Sequence, residues 1–170
     1  QKLESEGLIC RDGIRWLVAP IDADEIEQLC IDREILEVAA LKLSVSQITE
    51  EQLNNLERLL KETTVDSPEE SMENAGTRFH RELARLCNNA FIIEGINDAL
   101  RRLSRARWLD RAPSNPAWDE HREIFVALRS RDTDKAVELL ATHLCESRLR
   151  LLDTITSSKR SLRARGIAIS

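Results

Sequence analysis

The chain contains three histidines, His80, His121 and His143. Each has apolar residues three or four positions away, the spacing that gathers side chains on one helix face. His80 shares its face with Leu83 and Cys87, His121 with Trp118, Ile124, Phe125 and Leu128, and His143 with Ala136, Leu139 and Leu140. Three separate helices therefore each turn an imidazole inward. A single inward histidine is ordinarily a neutral core residue with one or two hydrogen bonds. Three buried together need partners for all their ring nitrogens. One divalent cation takes three of those nitrogens at once. Imidazole suits zinc, nickel, copper or iron, and three ligands leave a coordination position open. Spacing does not show that the rings meet, so both readings stand at this point.

The elements that would bring the rings together are helices. Leu, Ala, Glu and Arg dominate, and five Gly and four Pro are too few for a loop-rich or β-rich fold. Apolar periodicity predicts a helix over 22–44, with Asp22 or Asp24 as cap. A second begins at Thr49 with Gln52 in a capping box. A third starts at Ser67-Pro68 and runs through His80 to about Cys87. A fourth begins near Asn89 and contains Gly95, a fifth holds His121, and a sixth, capped by Asp132, holds His143. Upstream, "LICRDGIRWLV" places Asp12-Gly13 between two apolar runs, the signal of a β-hairpin. The reading is an all-α antiparallel bundle of six to seven helices behind a remnant hairpin. Short connections make sequential helices neighbours.

The formal charge is −5, and aromatic residues are 4% of the chain with no Tyr. That balance argues against nucleic acid bound along the whole surface or stacked on aromatic platforms. No run of eighteen apolar residues is present, so no membrane span is expected. Four cysteines without C-x-x-C spacing read as free thiols of a cytoplasmic protein. The sequence opens on Gln1 and its one methionine is Met72, so it is read as a fragment or a trimmed product.

Several stretches resemble one family. "RFHRELARLCNN" is similar to the F-H-x-x-L segment, closed by Asn, of the FadR C-terminal domain (FCD), the effector-binding domain of GntR-type bacterial transcription regulators. "DREILEVAALKLS" resembles its first helix, with Arg33, Glu37, Ala39 and Ala40 in the matching places. "EHREIFVALRSRDTDKAVELLATHL" resembles its E-H-R segment and the following helix that ends in H-L. "LESEGLICRDGIRWLVAP" resembles the end of a winged-helix domain. The resemblance covers nearly all of residues 3–152. It implies three parts: residues 1–20 as the last turns and wing of a winged-helix DNA-binding domain, 21–157 as the helical effector-binding domain, and 158–170 as a tail.

The resemblance also implies a site. Many members hold a divalent metal with one Asp and three His, and the three His fall on His80, His121 and His143. The Asp position is Gly76 here, so a ligand and a negative charge are missing. Glu73 is too far along the helix to replace it directly. A water, or a carboxylate of the effector, would fill the gap. Zinc or nickel is the expected ion, and a pocket binding an anion without metal is the alternative. Arg33 is expected to clamp an effector carboxylate or simply to pair with Glu37. Asn89 is expected to line the cavity, to cap its helix, or both. Arg11 and Arg15 on the wing are candidate DNA contacts. Arg101, Arg102, Arg105 and Arg107 read as a solvated basic face.

The function implied is a ligand-responsive transcription regulator, dimeric, that takes a small organic acid and controls the binding of winged-helix domains to operator DNA. The residues present hold too little of a winged helix to bind an operator specifically. A three-His metallohydrolase is the alternative. It needs a base within reach, whereas Glu120 and Glu123 flank His121 by one and two residues, off its face, and no H-E-x-x-H occurs. A purely structural helical adaptor would leave the inward histidines without a reason.

Overall fold

The computed structural model describes residue 4 and residues 9–44, 47–62, 69–107 and 116–157. Most of the expected first helix end, the Ser67-Pro68 start and the 158–170 tail lie outside these residues, and so does the side chain of Glu73. The order is β1 (Ile9–Asp12), β2 (Arg15–Val18), α1 (Ala23–Ser44), α2 (Glu50–Lys61), α3 (Glu69–Arg85), α4 (Ala90–Arg107), α5 (Ala117–Arg129) and α6 (Thr133–Ser157). An all-helical bundle behind a two-stranded hairpin is the fold that the sequence predicts.

The strands pair antiparallel with Asp12 opposite Arg15 and Ile9 opposite Val18. The turn is therefore Gly13-Ile14, one residue later than the Asp12-Gly13 expectation. Gly13 has φ +59°, and a glycine in this conformation at the first central position suits a two-residue hairpin turn.

Most of the helices start at a side-chain cap that their sequence offers, whereas α5 starts at Pro116 without one. Asp22 accepts from the backbone N–H of Asp24 and Glu25 ahead of α1. Thr49 and Gln52 exchange both bonds of a capping box on α2. Asp132 accepts from the N–H of Lys135 on α6. Asn88, at φ +51°, ends the turn after α3, a left-handed position that Asn tolerates. The α3–α4 and α5–α6 connections are four and three residues long. Each joins two helices in contact, which makes both pairs antiparallel.

α3 runs through the middle and touches α1, α2, α4 and α5, while α6 packs on α1, α4 and α5. A dry core lies between α2, α3, α5 and α6, built from Leu53, Leu56, Phe79, Ile124 and Leu140. A smaller one joins α1, α4 and α6 through Ile26, Leu103 and Ile155. Gly95 lets α4 lie close against α1, because a Cβ there would stand 2.8 Å from Leu36 Cδ1. α1 spreads its apolar and charged residues over several sides, and the structure decides which face is inside. Ile26, Cys30, Arg33, Glu37, Ala40 and Leu41 are buried, whereas Ile35 and Leu43 are exposed.

Candidate metal centre

His80 on α3, His121 on α5 and His143 on α6 are all buried, at 1%, 2% and 3% exposure. Their rings meet. Nε2 of His121 lies 3.1 Å from Nε2 of His80 and 3.2 Å from Nε2 of His143, and the third edge is 3.2 Å. Imidazoles at about 2.1 Å from one ion stand about 3.0 Å apart around an octahedron and about 3.4 Å apart around a tetrahedron. The observed triangle falls between those values.

The outer nitrogens explain why all three Nε2 atoms point inward. His80 Nδ1 lies 2.7 Å from Glu37 Oε2, whose other oxygen accepts from Arg33 Nε at 2.6 Å. His143 Nδ1 lies 2.6 Å from Glu120 Oε2, and Arg150 donates to both Glu120 oxygens at 3.1 Å. A carboxylate only accepts, so each of these Nδ1 atoms carries the proton and each Nε2 is left with its lone pair. Two lone pairs therefore face each other at 3.2 Å. His121 brings at most one proton to the triangle, which cannot satisfy both. A shared cation satisfies all three. Carboxylates that fix imidazole tautomers in this way are a regular feature of metal centres.

The surroundings keep the rings uncharged. Burial pushes His80 well below the ordinary imidazole range, and Arg33, His143 and Arg107 add to it. Burial, His143 and His80 do the same for His121. Burial lowers His143 as well, against the pull of its bond to Glu120. Neutral imidazole is the form that ligates metal. Burial raises Glu37 despite Arg33 beside it. On Glu120 burial also works upward, but the bonds from His143 and Arg150 outweigh it and hold the carboxyl low.

Gly76 faces this triangle. A Cβ on it would lie 3.4 Å from His121 Cε1 and 3.9 Å from Arg107 Nη2. A Cβ would stand there in ordinary contact, and the position carries none. His121 also differs from its two partners, since its Nδ1 is buried with no hydrogen-bond partner among the described residues.

The remaining site residues sort as follows. Arg33 reaches the centre through Glu37, so the simple intrahelical pair is present as one link of a longer chain. Asn89 caps α4, its side-chain oxygen accepting from the N–H of Phe91 and Ile92. Arg11 and Arg15 lie on the exposed hairpin far along the chain from the triangle, with the Arg11 guanidinium 5.8 Å from the Trp16 ring centre. Glu120 lies off the face of His121, as its spacing predicts, yet it reaches the centre by another route. Its side chain spans to His143 on the next helix. The basic cluster on α4 is not one solvated face. Arg101 and Arg102 pair with Asp98 and Glu25, Arg105 donates to the Ala19 carbonyl, and Arg107 reaches inward to Gly76. All four cysteines are free.

The FCD domain family model matches residues 25–145. McbR/YncC of E. coli is 19% identical and superimposes with TM-score 0.76 over 88% of this chain and 79% of its own. A transcriptional regulator of the GntR family from Pseudomonas syringae pv. tomato str. DC3000 is 19% identical, with TM-score 0.72 over 94% of this chain and 69% of its own. The metal-free FCD domain of TM0439 is 21% identical, with TM-score 0.72 over 82% of this chain and 99% of its own. At these identities the likeness speaks for the fold. Among curated proteins no sequence matches.

Proposed function

Because the chain belongs to the FCD domain family, we propose that it is the effector-binding part of a cytoplasmic, dimeric transcription regulator, and that it takes a small organic acid at a divalent metal centre. The observation that carries this reading is the triangle of converging Nε2 lone pairs. His80, His121 and His143 would hold the ion. Three neutral nitrogen donors suit zinc or nickel better than magnesium or calcium, which prefer oxygen. Bound there, the ion supplies a Lewis-acidic point for an anionic oxygen.

The chain's own residues do the rest. Glu37 and Glu120 orient two of the rings. Gly76 withholds the carboxylate that relatives place there, which leaves a position for a carboxylate of the acid and one negative charge fewer to repel it. Arg33 and Arg107 make the surroundings positive. Both carboxylates next to the rings already have their oxygens engaged, so neither is placed as a free base for hydrolysis.

The signal has a physical route to the hairpin. α1 carries Arg33 and Glu37 and follows the hairpin after four residues. Its first turn is tied to α4 by the Glu25–Arg102 pair, and the linker is tied by Arg105 at the Ala19 carbonyl. An acid that pulls on α1 changes the placement of the hairpin, where Arg11 and Arg15 would meet DNA phosphates in the whole regulator. The acid must bind the two placements with different free energies for this to act as a switch.

Thermal unfolding tests the core of the reading. Zinc or nickel should raise the midpoint, chelator should reverse it, and acetate should add a further rise only in the metal-loaded protein. A chain indifferent to both metals and to chelator would refute the metal centre.

A further inference from the structure

The three imidazoles of the centre are held in two different ways. His80 and His143 are each clamped from outside by a carboxylate that an arginine holds in turn. Arg33 Nε donates to Glu37, whose other oxygen lies 2.7 Å from His80 Nδ1. Arg150 forks onto both oxygens of Glu120 at 3.1 Å, and Glu120 Oε2 lies 2.6 Å from His143 Nδ1. Both clamps cross between helices, α1 to α3 and α5 to α6. Each therefore ties its ring to a neighbouring helix as well as fixing its proton.

His121 has no such clamp. Its Nδ1 is buried and has no hydrogen-bond partner among the described residues. Around it stand Phe79, with ring centres 4.6 Å apart, Trp118 at 5.6 Å, and the bare backbone of Gly76, where a Cβ would lie 3.4 Å from Cε1. Aromatic faces confine the plane of a ring but do not choose which nitrogen carries the proton. The other two imidazoles do choose. Their Nε2 atoms present lone pairs at 3.1 and 3.2 Å, so without an ion the His121 proton sits on Nε2 and is shared between them. An ion needs the lone pair of that same Nε2. To ligate it, His121 must carry its proton on Nδ1 instead, where a buried donor has no acceptor, and that costs free energy. His80 and His143 need no such change. Outer partners also raise the basicity of a ligating imidazole, and of the three only His121 lacks one.

We infer that His121 is the exchangeable ligand of the three: His80 and His143 form a preset pair that receives the ion first, and His121 closes on it after changing tautomer and is the first to let go. This rests on the metal-binding reading of the triangle and adds an order among its ligands. A centre built this way holds its ion reversibly. It also gives an incoming donor one ligand to displace without breaking the other two.

Nitrogen NMR of the imidazoles in the unaltered chain, before and after zinc, tests this. Without metal, His80 and His143 should carry the proton on Nδ1 and His121 on Nε2. With zinc, all three should carry it on Nδ1, so that His121 alone changes. A His121 protonated mainly at Nδ1 before zinc is added would overturn the proposal while leaving the metal centre standing. Affinity gives the second arm. His121→Ala should weaken zinc at least about tenfold less than His80→Ala or His143→Ala. Equal losses, or a larger loss at His121, would overturn it as well. Zinc that leaves every imidazole signal unmoved would refute the metal centre itself, and the proposal with it. The spectra need no substitution, so they decide the matter even if a variant folds poorly.

Discussion

Phe79 and His80 are neighbours on α3, and both are buried, at 0% and 1% exposure. Phe79 belongs to the dry core with Leu53, Leu56, Ile124 and Leu140. His80 belongs to the polar centre with His121, His143, Glu37 and Glu120. The same degree of burial has opposite energetic meaning in the two places. In the dry core each apolar group removed from water stabilises the fold, and good packing is enough. In the polar centre burial costs free energy unless every donor and acceptor finds a partner. The centre satisfies its outer nitrogens at His80 and His143 and leaves its inner ones aimed at a common point. A core that only had to hold the fold together would be more stable with apolar residues there.

Changes in the two regions should therefore fail in different ways. The largest effect is expected in the dry core. Leu56→Ala should destabilise the fold by about 2–5 kcal/mol, equally with and without zinc, because it leaves a cavity on α2, which carries none of the three histidines. Denaturant midpoints in both states check this. A zinc-dependent difference would mean that the two regions are not separate.

The polar centre should instead respond to pH. The folded values of all three imidazoles lie below their unfolded value of about 6.5. Below that pH the unfolded chain takes up protons that the folded chain refuses, so metal-free stability falls as pH drops from about 6.5 toward the folded values. Glu37, whose folded value is raised, carries the opposite sign. The rings set the sign of the slope and Glu37 offsets part of it, so metal-free stability should fall toward acid. Urea titrations from pH 7.5 down to 5 measure it. A flat profile would mean that the rings are not held neutral.

Glu37→Gln separates orientation from ligation. It keeps the size of the side chain but loses the charge that fixes the His80 tautomer. Zinc affinity should drop by roughly 10- to 100-fold, while a competing chelator titration should still find one ion per chain. Unchanged affinity would reduce Glu37 to a partner of Arg33 alone. The smallest shift is expected from Gly76→Asp. The new carboxylate should tighten zinc by about tenfold and weaken the response to acetate, because it occupies the place left for the acid. Tighter zinc with an undiminished acetate response would place the acid elsewhere.

The sequence by itself determined the helices, because most are written in local terms: Asp22, the Thr49–Gln52 box, Asn89 and Asp132 satisfy first N–H groups, and apolar spacing picks an inner face. It also determined that His80, His121 and His143 face inward, and family likeness pointed to them as one site. The place of Glu37 was partly legible too, since Ile26, Cys30, Arg33, Glu37 and Leu41 follow one another at steps of three or four. Where local rules gave no preference, the sequence was silent. α1 is apolar on several sides, so only packing against α4 and α6 decided that Ile35 and Leu43 stay outside. The turn register of the hairpin shifted by one residue for a similar reason, since either pairing satisfies the Asp12-Gly13 signal. Only the tertiary structure decided that the three rings meet within 3.2 Å, that Glu120 serves His143 instead of its neighbour His121, and that Arg107 turns in while Arg101 turns out. These are relations between helices far apart along the chain. They depend on crossing geometry and on long side chains whose reach no periodicity encodes.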